Sequence, residues 1–467
     1  MTETTRRQCL QRIGTGTGVA AMLGLTHLVS PLPAAGQMCA PPGPPGTPRV
    51  WRRDCRPIRP RRPASTLTTA ETQKLRDAYM AMRALDTSDP NDPRGFARQA
   101  EVHCWNCGHG TQVHGSWRFF AWHRAYLYFH EQILGALVND AEFRLPYWDW
   151  DNAAHRRIPP AYTNPGNNSN SLWNPSRVLG PTQDVPDEDV GELVMNGVMT
   201  LGTFAEFGGT AALPGSPEGI PHGAVHIDVG GDMGFFDSAA NDPVFYAHHS
   251  NVDKLWSDWN RSDVNHTNPS DPAFRDLMFT FYDANKQWVS IKASQVLDHE
   301  ASLRYEYGRS RFAEILPCIL DWIVVRSDWR TARTLTLSPT IQRALSAGVA
   351  SKSPIRLHVD ELVVPADTSA VYRLYIGRRE AESDAGPSGS GYLGSVAFVA
   401  NDAKGAHNRP RPVRAVIDVT KAAPGLLQRQ VGGELFLVSR GAKSGTTPAP
   451  VIALRARDVY FSVAKLS

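Results

Sequence analysis

The chain has 467 residues, 42% of them hydrophobic, and a formal charge of +3, so it can bury a substantial core and has the length of two or three domains. A charge this small, with no long basic run interleaved with aromatics, argues against a nucleic-acid partner, and no stretch is long and apolar enough to read as a membrane span. Twelve Trp and 35 Pro point to aromatic packing and long irregular connections on a fixed scaffold.

Residues 1–36 carry Arg6 and Arg7, a weak apolar stretch from Val19 to Val29 broken by Gly24 and His27, and small residues at Ala34 and Ala35. This resembles a twin-arginine export signal cleaved near Gly36, and a periplasmic or secreted destination is expected from it. Setting Cys9 aside with that segment leaves Cys39, Cys55, Cys104, Cys107 and Cys318, an odd number, so at least one is free or used otherwise. Residues 37–66, rich in Pro and Arg, read as an irregular strap over the surface.

A helix is predicted from Thr69, capped by its own side chain, to about Leu85, and a second from Phe96 to His103. Ser116 to Leu137 is the clearest helical signal, because Phe119, His123, Tyr126, Leu127, His130, Ile133 and Leu134 recur at spacings of three and four. LPYWDWD at 145–151 ends that unit. Residues 153–219 read as loop with a short helical piece near Val190 to Met199. Another helix is expected at 243–261, where Phe245, His249, Val252 and Trp256 share a face.

After Pro354 the period changes to two, and six strands are predicted, within 355–364, 369–380, 391–400, 413–420, 433–440 and 451–463, forming a sandwich or barrel-like unit. Residues 310–352 read as connector and hinge. The expected division is thus 1–36 signal, 37–66 strap, 67–309 helical domain, 310–352 connector and 353–467 β domain.

Six histidines fall into two triplets, His103, His114 and His123, then His222, His226 and His249. His222 and His226 are four apart, which puts both rings on one side of a helical turn. His248 points about 100° away from His249 on a helix, so one of the two faces the same ion, and His249 is favoured. Imidazole suits copper, zinc, iron and nickel alike, but two such sets imply two adjacent metal ions.

At VHCWNC (102–107), VHGSWRFFAWHRAYLYFHEQIL (113–134), LPYWDWD, PHGAVHI (221–227) and DPVFYAHHSNVDKLW (242–256) the chain resembles the type 3 copper family, the tyrosinases and catechol oxidases, and within it the plant-type polyphenol oxidases, here as a bacterial exported form. The resemblance implies a mainly α core, a four-helix bundle around a binuclear copper site with long loops, followed by an all-β domain. It gives one copper to His103, His114 and His123 and the other to His222, His226 and His249. It also implies a thioether from Cys107 to a ring carbon of His114, and pairs Cys55 with Cys104, with Cys39–Cys55 as the competing disulfide.

By the same resemblance Phe236 lies over the second copper and gates it, and Glu218 fixes a water and helps deprotonate a phenol. Asp253 accepts a hydrogen bond from a ligand imidazole. Gly223 stands where members with strong monophenol activity carry Asn. The expected function is therefore catechol oxidase, turning o-diphenols into o-quinones with reduction of O2 to water. Tyrosinase-type monophenol hydroxylation is the alternative, and a hemocyanin-like oxygen carrier a more distant one. Small phenols and O2 are the expected partners, and the β domain is expected to shield the copper mouth.

Overall fold

The computed structural model describes Cys39, residues 43–44 and 46–466, apart from 110–111, 165, 167–168, 309–311, 313–318, 328, 330–333, 364–368, 378–386, 388–390, 403–410, 429–432 and 441–450. The export segment read from 1–36 lies outside these residues, as does Cys318.

Helix α1 (Thr69–Ser88) starts at the predicted residue, but its cap is Thr68 rather than Thr69. Thr68 accepts from the Glu71 N–H while the Glu71 carboxylate accepts from the Thr68 N–H, a reciprocal pairing that satisfies two otherwise orphaned donors. Helices α2 (Phe96–Cys104), α3 (Arg118–Leu137), α4 (Glu192–Met199), α5 (Ala224–Val229) and α6 (Val244–Ser262) follow. α3 and α6 are buried almost throughout, so their polar residues need internal partners rather than solvent. Among the described residues no helix is long and apolar enough to cross a membrane.

The strap is less superficial than its composition predicts. Strand β1 (Arg49–Val50) and strand β2 (Arg59–Pro60) pair, both in parallel, with β4 (Trp288–Lys292) and β5 (Tyr305–Glu306); β3 (Met278–Tyr282) completes the first sheet beside β4. Trp51 and Arg61 are buried. Cys39 is bonded to Cys104, with Cα atoms 5.9 Å apart, which corrects both expected pairings. Cys55 is exposed and free, Cys104 being taken by Cys39.

The segment read as a connector holds regular structure. Strand β6 (Ile319–Arg326) pairs with β14 (Asp458–Leu466), β7 (Thr334–Leu335) with β12 (Gly433–Arg440), and helix α7 (Pro339–Ser351) buries Ile341 and Leu345 against the same core. With β8 (Ile355–Val363), β9 (Ala370–Gly377), β10 (Tyr392–Phe398), β11 (Pro412–Asp418) and β13 (Val451–Ala453), these strands form two sheets, ordered β10-β9-β12-β13 with β7 on β12, and β11-β8-β14-β6.

Leu357, Val359, Leu374, Ile376, Leu435, Leu437 and Phe461 supply the apolar side between the sheets, as the period of two requires. The opposite faces are not all left to water. Arg356 on β8 donates to the Gly197 carbonyl, and Val371 and Ala397 pack on Ala224 of α5. The β unit and the helical unit therefore share a buried interface, which explains why β8 is buried on both faces.

Candidate metal centre

His103 lies in the last turn of α2, His123 in the first two turns of α3, His226 in α5 and His249 in α6. His114 stands in an irregular turn before α3, and His222 in a wide π-helical turn, Glu218–Gly223, broken at Ile220 and leading into α5. Two of the six thus stand outside regular α-helix, where proximity to Cys107 and Glu218 sets their place. All six rings are buried.

Four imidazoles are oriented by main-chain carbonyls. Nδ1–H donates from His103 to Phe236 at 2.9 Å, from His123 to Phe119 at 2.8 Å, from His222 to Glu218 at 2.7 Å and from His226 to Met233 at 2.8 Å. Each bond fixes the tautomer that leaves Nε2 as a lone pair. The Nε2 atoms of His103, His123 and His222 are buried with no hydrogen-bond partner, as are both ring nitrogens of His114 and Nδ1 of His249. Nε2 of His226 and Nε2 of His249 face each other at 3.2 Å.

Burial, followed by repulsion between the rings, holds the pKa of His103, His114, His222 and His249 well below the ordinary value. Burial also takes His123 down to about 3 and His226 to about 4. Neutral rings with inward lone pairs are a donor set waiting for cations, since unpartnered buried nitrogens are otherwise costly. The first triplet gathers with Cys107, and the second with His248. The stacked rings of His123 and His249, 4.3 Å between centroids, bring the two sets side by side.

His248 is the fourth buried ring of the second set, and Trp150 Nε1–H donates to its Nδ1 at 3.0 Å. The sequence holds a weak signal for this pairing, the WDW of 148–150, which reads there as mere aromatic packing. His130 is a core residue stacked on Tyr246, and His155 pairs with Asp149.

Phe236 does not cover the second triplet. Its ring stacks on His114 of the first, 3.9 Å between centroids, because the β unit fixes its main chain. The Phe236 N–H donates to Ala400 at 3.0 Å and the Asp237 N–H to Asn401 at 2.9 Å. Arg411 lies 5.4 Å from the Phe236 ring. Glu218 accepts the Gly115 N–H at 2.6 Å through Oε1, while Oε2 is buried without a partner. Burial pushes its carboxyl up to about 8, against the pull of that N–H and of Arg411.

Asp253 is not at a ligand imidazole. Its carboxylate takes hydrogen bonds from Arg124, Arg61, Tyr305 and Tyr307, the strap and β5 having closed over the side of α6 that bears it. A Cβ at Gly223 would lie 3.2 Å from Ala397 and 3.5 Å from Val399 of the β unit, a packing reason for glycine there that the sequence alone does not contain.

The common central domain of tyrosinase matches residues 93–201 and 188–262, and the polyphenol oxidase middle domain residues 268–317. A latent-form chloroplastic polyphenol oxidase of Prunus armeniaca is 34% identical over 307 residues, 56% of this chain and 49% of the relative. The chain thus spans about half the length of this curated relative. The solved polyphenol oxidase of Grenache (Vitis vinifera) is 31% identical with a TM-score of 0.53, over 60% of this chain and 94% of that one. Latent apple tyrosinase shares the fold, with a TM-score of 0.63 at 24% identity over 90% and 98% of the two chains.

Polyphenol oxidases of several plants among these relatives are chloroplastic, which overturns the expected twin-arginine export and the periplasmic or secreted destination and lends the bacterial form no support. An arginine-rich, acid-poor leader with small and hydroxylated residues is a composition that plastid transit segments share, so Arg6 and Arg7 do not discriminate. With its central region matched and a plant polyphenol oxidase covered almost end to end at 31% identity, the chain belongs to the tyrosinase family of type 3 copper proteins.

Proposed function

We propose that this chain is a plastid o-diphenol oxidase that binds two copper ions, one on His103, His114 and His123 and one on His222, His226 and His249. The observation that carries this reading is the pair of abutting triplets of neutral imidazoles, five of the six with a buried ring nitrogen that has no hydrogen-bond partner. The chemistry supplied by two bound copper ions is one-electron redox at each, together enough to take two electrons from a diphenol and pass them to O2. Two o-diphenols and one O2 thereby become two o-quinones and two waters.

The protein's part is orientation. Four carbonyls hold four rings, and His114, which has no hydrogen-bond partner at either nitrogen, is the ring that a thioether from the buried Cys107 would fix. Phe236, stacked on His114, would border an entering phenol beside the first triplet. The buried, partnerless Oε2 of Glu218 favours a second reading, monophenol hydroxylation, because it can take a phenol proton once nearby cations lower its pKa. Oxygen uptake by copper-reconstituted protein offered catechol and tyramine separately tests both readings. Uptake with catechol alone supports the first, prompt uptake with both the second, and uptake with neither sinks the proposal.

The helical unit at 67–309 is proposed as catalytic, with the β unit covering its mouth through Ala397 to Asn401. Protein ending at Gly308 should then turn over catechol faster than the full chain, and equal rates would remove the shielding role. Gly223→Asn should gain tyramine hydroxylation in that shortened protein. In the full chain it should instead cost about 1–3 kcal/mol of stability by crowding Ala397 and Val399, so an equal gain in both forms, with an unchanged melting temperature, would refute the packing argument.

A further inference from the structure

Several arginines at the interface of the β unit with the helical unit are matched to acids, while Arg356 is held by the neutral Gly197 carbonyl and Thr200 hydroxyl. Arg373 pairs with Glu188, and Arg440 with Glu188, Asp189 and Asp228. Arg414 pairs with Asp360 within the β unit. Arg411 differs. It precedes β11 and reaches back to the copper mouth, where its guanidinium lies over the Phe236 ring and donates to the neutral side chain of Asn401. Among the described residues no carboxylate lies within ion-pair distance of it, and burial pulls its pKa below the ordinary value. Glu218, Cys107 and Asp237 act on its charge at longer range, and the Phe236 ring it overlies stacks on His114.

A partly buried cation with no carboxylate in direct contact is costly, and a planar guanidinium is shaped to take a carboxylate on two N–H donors. A phenol ring entering beside Phe236 would carry a carboxylate, one to three bonds from the ring, to the same place. Resting on the proposed diphenol oxidation, we infer that Arg411 binds the carboxylate of the substrate, and that o-diphenols bearing a carboxylate on the ring or on a short side chain are the preferred class. Arg411 is a binding residue in this reading and takes no part in electron transfer. The β unit accordingly contributes to selection as well as to cover.

The test compares copper-loaded full-length protein with Arg411→Gln and Arg411→Lys. Substrates are 3,4-dihydroxybenzoate and 3-(3,4-dihydroxyphenyl)propanoate against 4-methylcatechol. The acid-to-neutral ratio of kcat/KM should fall about 10- to 100-fold in the Gln variant, chiefly through KM, and be partly kept by Lys, as for the loss of a charge-assisted pair. A ratio unmoved by Arg411→Gln overturns the inference.

Calorimetry on the metal-free protein gives a second arm that needs neither turnover nor a variant. Benzoate should bind more tightly than benzamide, and equal binding of the two also overturns the inference. If no diphenol of either kind is oxidised, the proposed function fails, while the benzoate arm still decides the role of Arg411.

Discussion

Replacing His226 by Asn should lower the copper content from two ions per chain to about one and take diphenol oxidation to background. His226 is the ring held most tightly on both sides, by the Met233 carbonyl at Nδ1 and facing His249 at Nε2. An amide cannot present a neutral nitrogen lone pair at the same reach, so the second ion loses a third of its proposed donors. His249→Asn should behave alike. His248→Gln should keep both ions, since accepting the Trp150 N–H at Nδ1 puts its own proton on Nε2 and leaves no lone pair there for a metal, and the amide oxygen can accept that N–H instead. Metal analysis with oxygen uptake checks all three. Two tightly held ions in the His226→Asn protein would sink the assigned ligand set, and loss of an ion from the His248 variant would exchange the roles of the adjacent pair.

The parts of the site legible in the sequence are those set by local periodicity. His222 and His226 are four apart on a helical turn, His249 shares a face with Phe245 and Val252, and His123 shares one with Phe119 and Tyr126. The period-two strands after Pro354 emerge as strands in the structure, although 310–352 hides β6 and α7 because its Ser, Lys and Arg content masks two elements that become regular by pairing with β14 and packing on the sandwich core.

What escaped the sequence depends on contacts between distant segments. Cys39 meets Cys104 because the strap runs back along the helical unit, and Phe236 turns onto His114 because Ala400 and Asn401 take its main-chain donors. Arg411 and Gly223 acquire their meaning from a domain interface, which no spacing in the chain encodes. Asp253 is the clearest case. The four-residue offset from His249 places it correctly on α6, yet its partners are Arg61 from the strap, Arg124 from α3 and two tyrosines from the end of the helical unit.

That network supplies the second large effect. Asp253→Asn keeps the shape and removes the charge, leaving Arg124 buried with neutral acceptors and no carboxylate, and Arg61 with Glu131. Breaking a buried pair from one side costs about 3–5 kcal/mol, so the variant should melt roughly 10 °C lower. Acidity gives an independent signature. Burial pushes the Asp253 pKa up, but Arg124 and Arg61 outweigh it and hold the carboxyl down at about 2. A depressed pKa adds stability that is complete above the ordinary carboxylate value of about 4 and is lost as pH falls through the folded value. Integrated over that window it is worth about 2 kcal/mol. The wild-type protein should therefore lose stability between about pH 4 and pH 2 more steeply than Asp253→Asn, which has no proton to take up there. Melting curves across that range decide the matter, and parallel curves with similar midpoints would mean that the arginines and tyrosines around Asp253 hold the helical unit together without its charge.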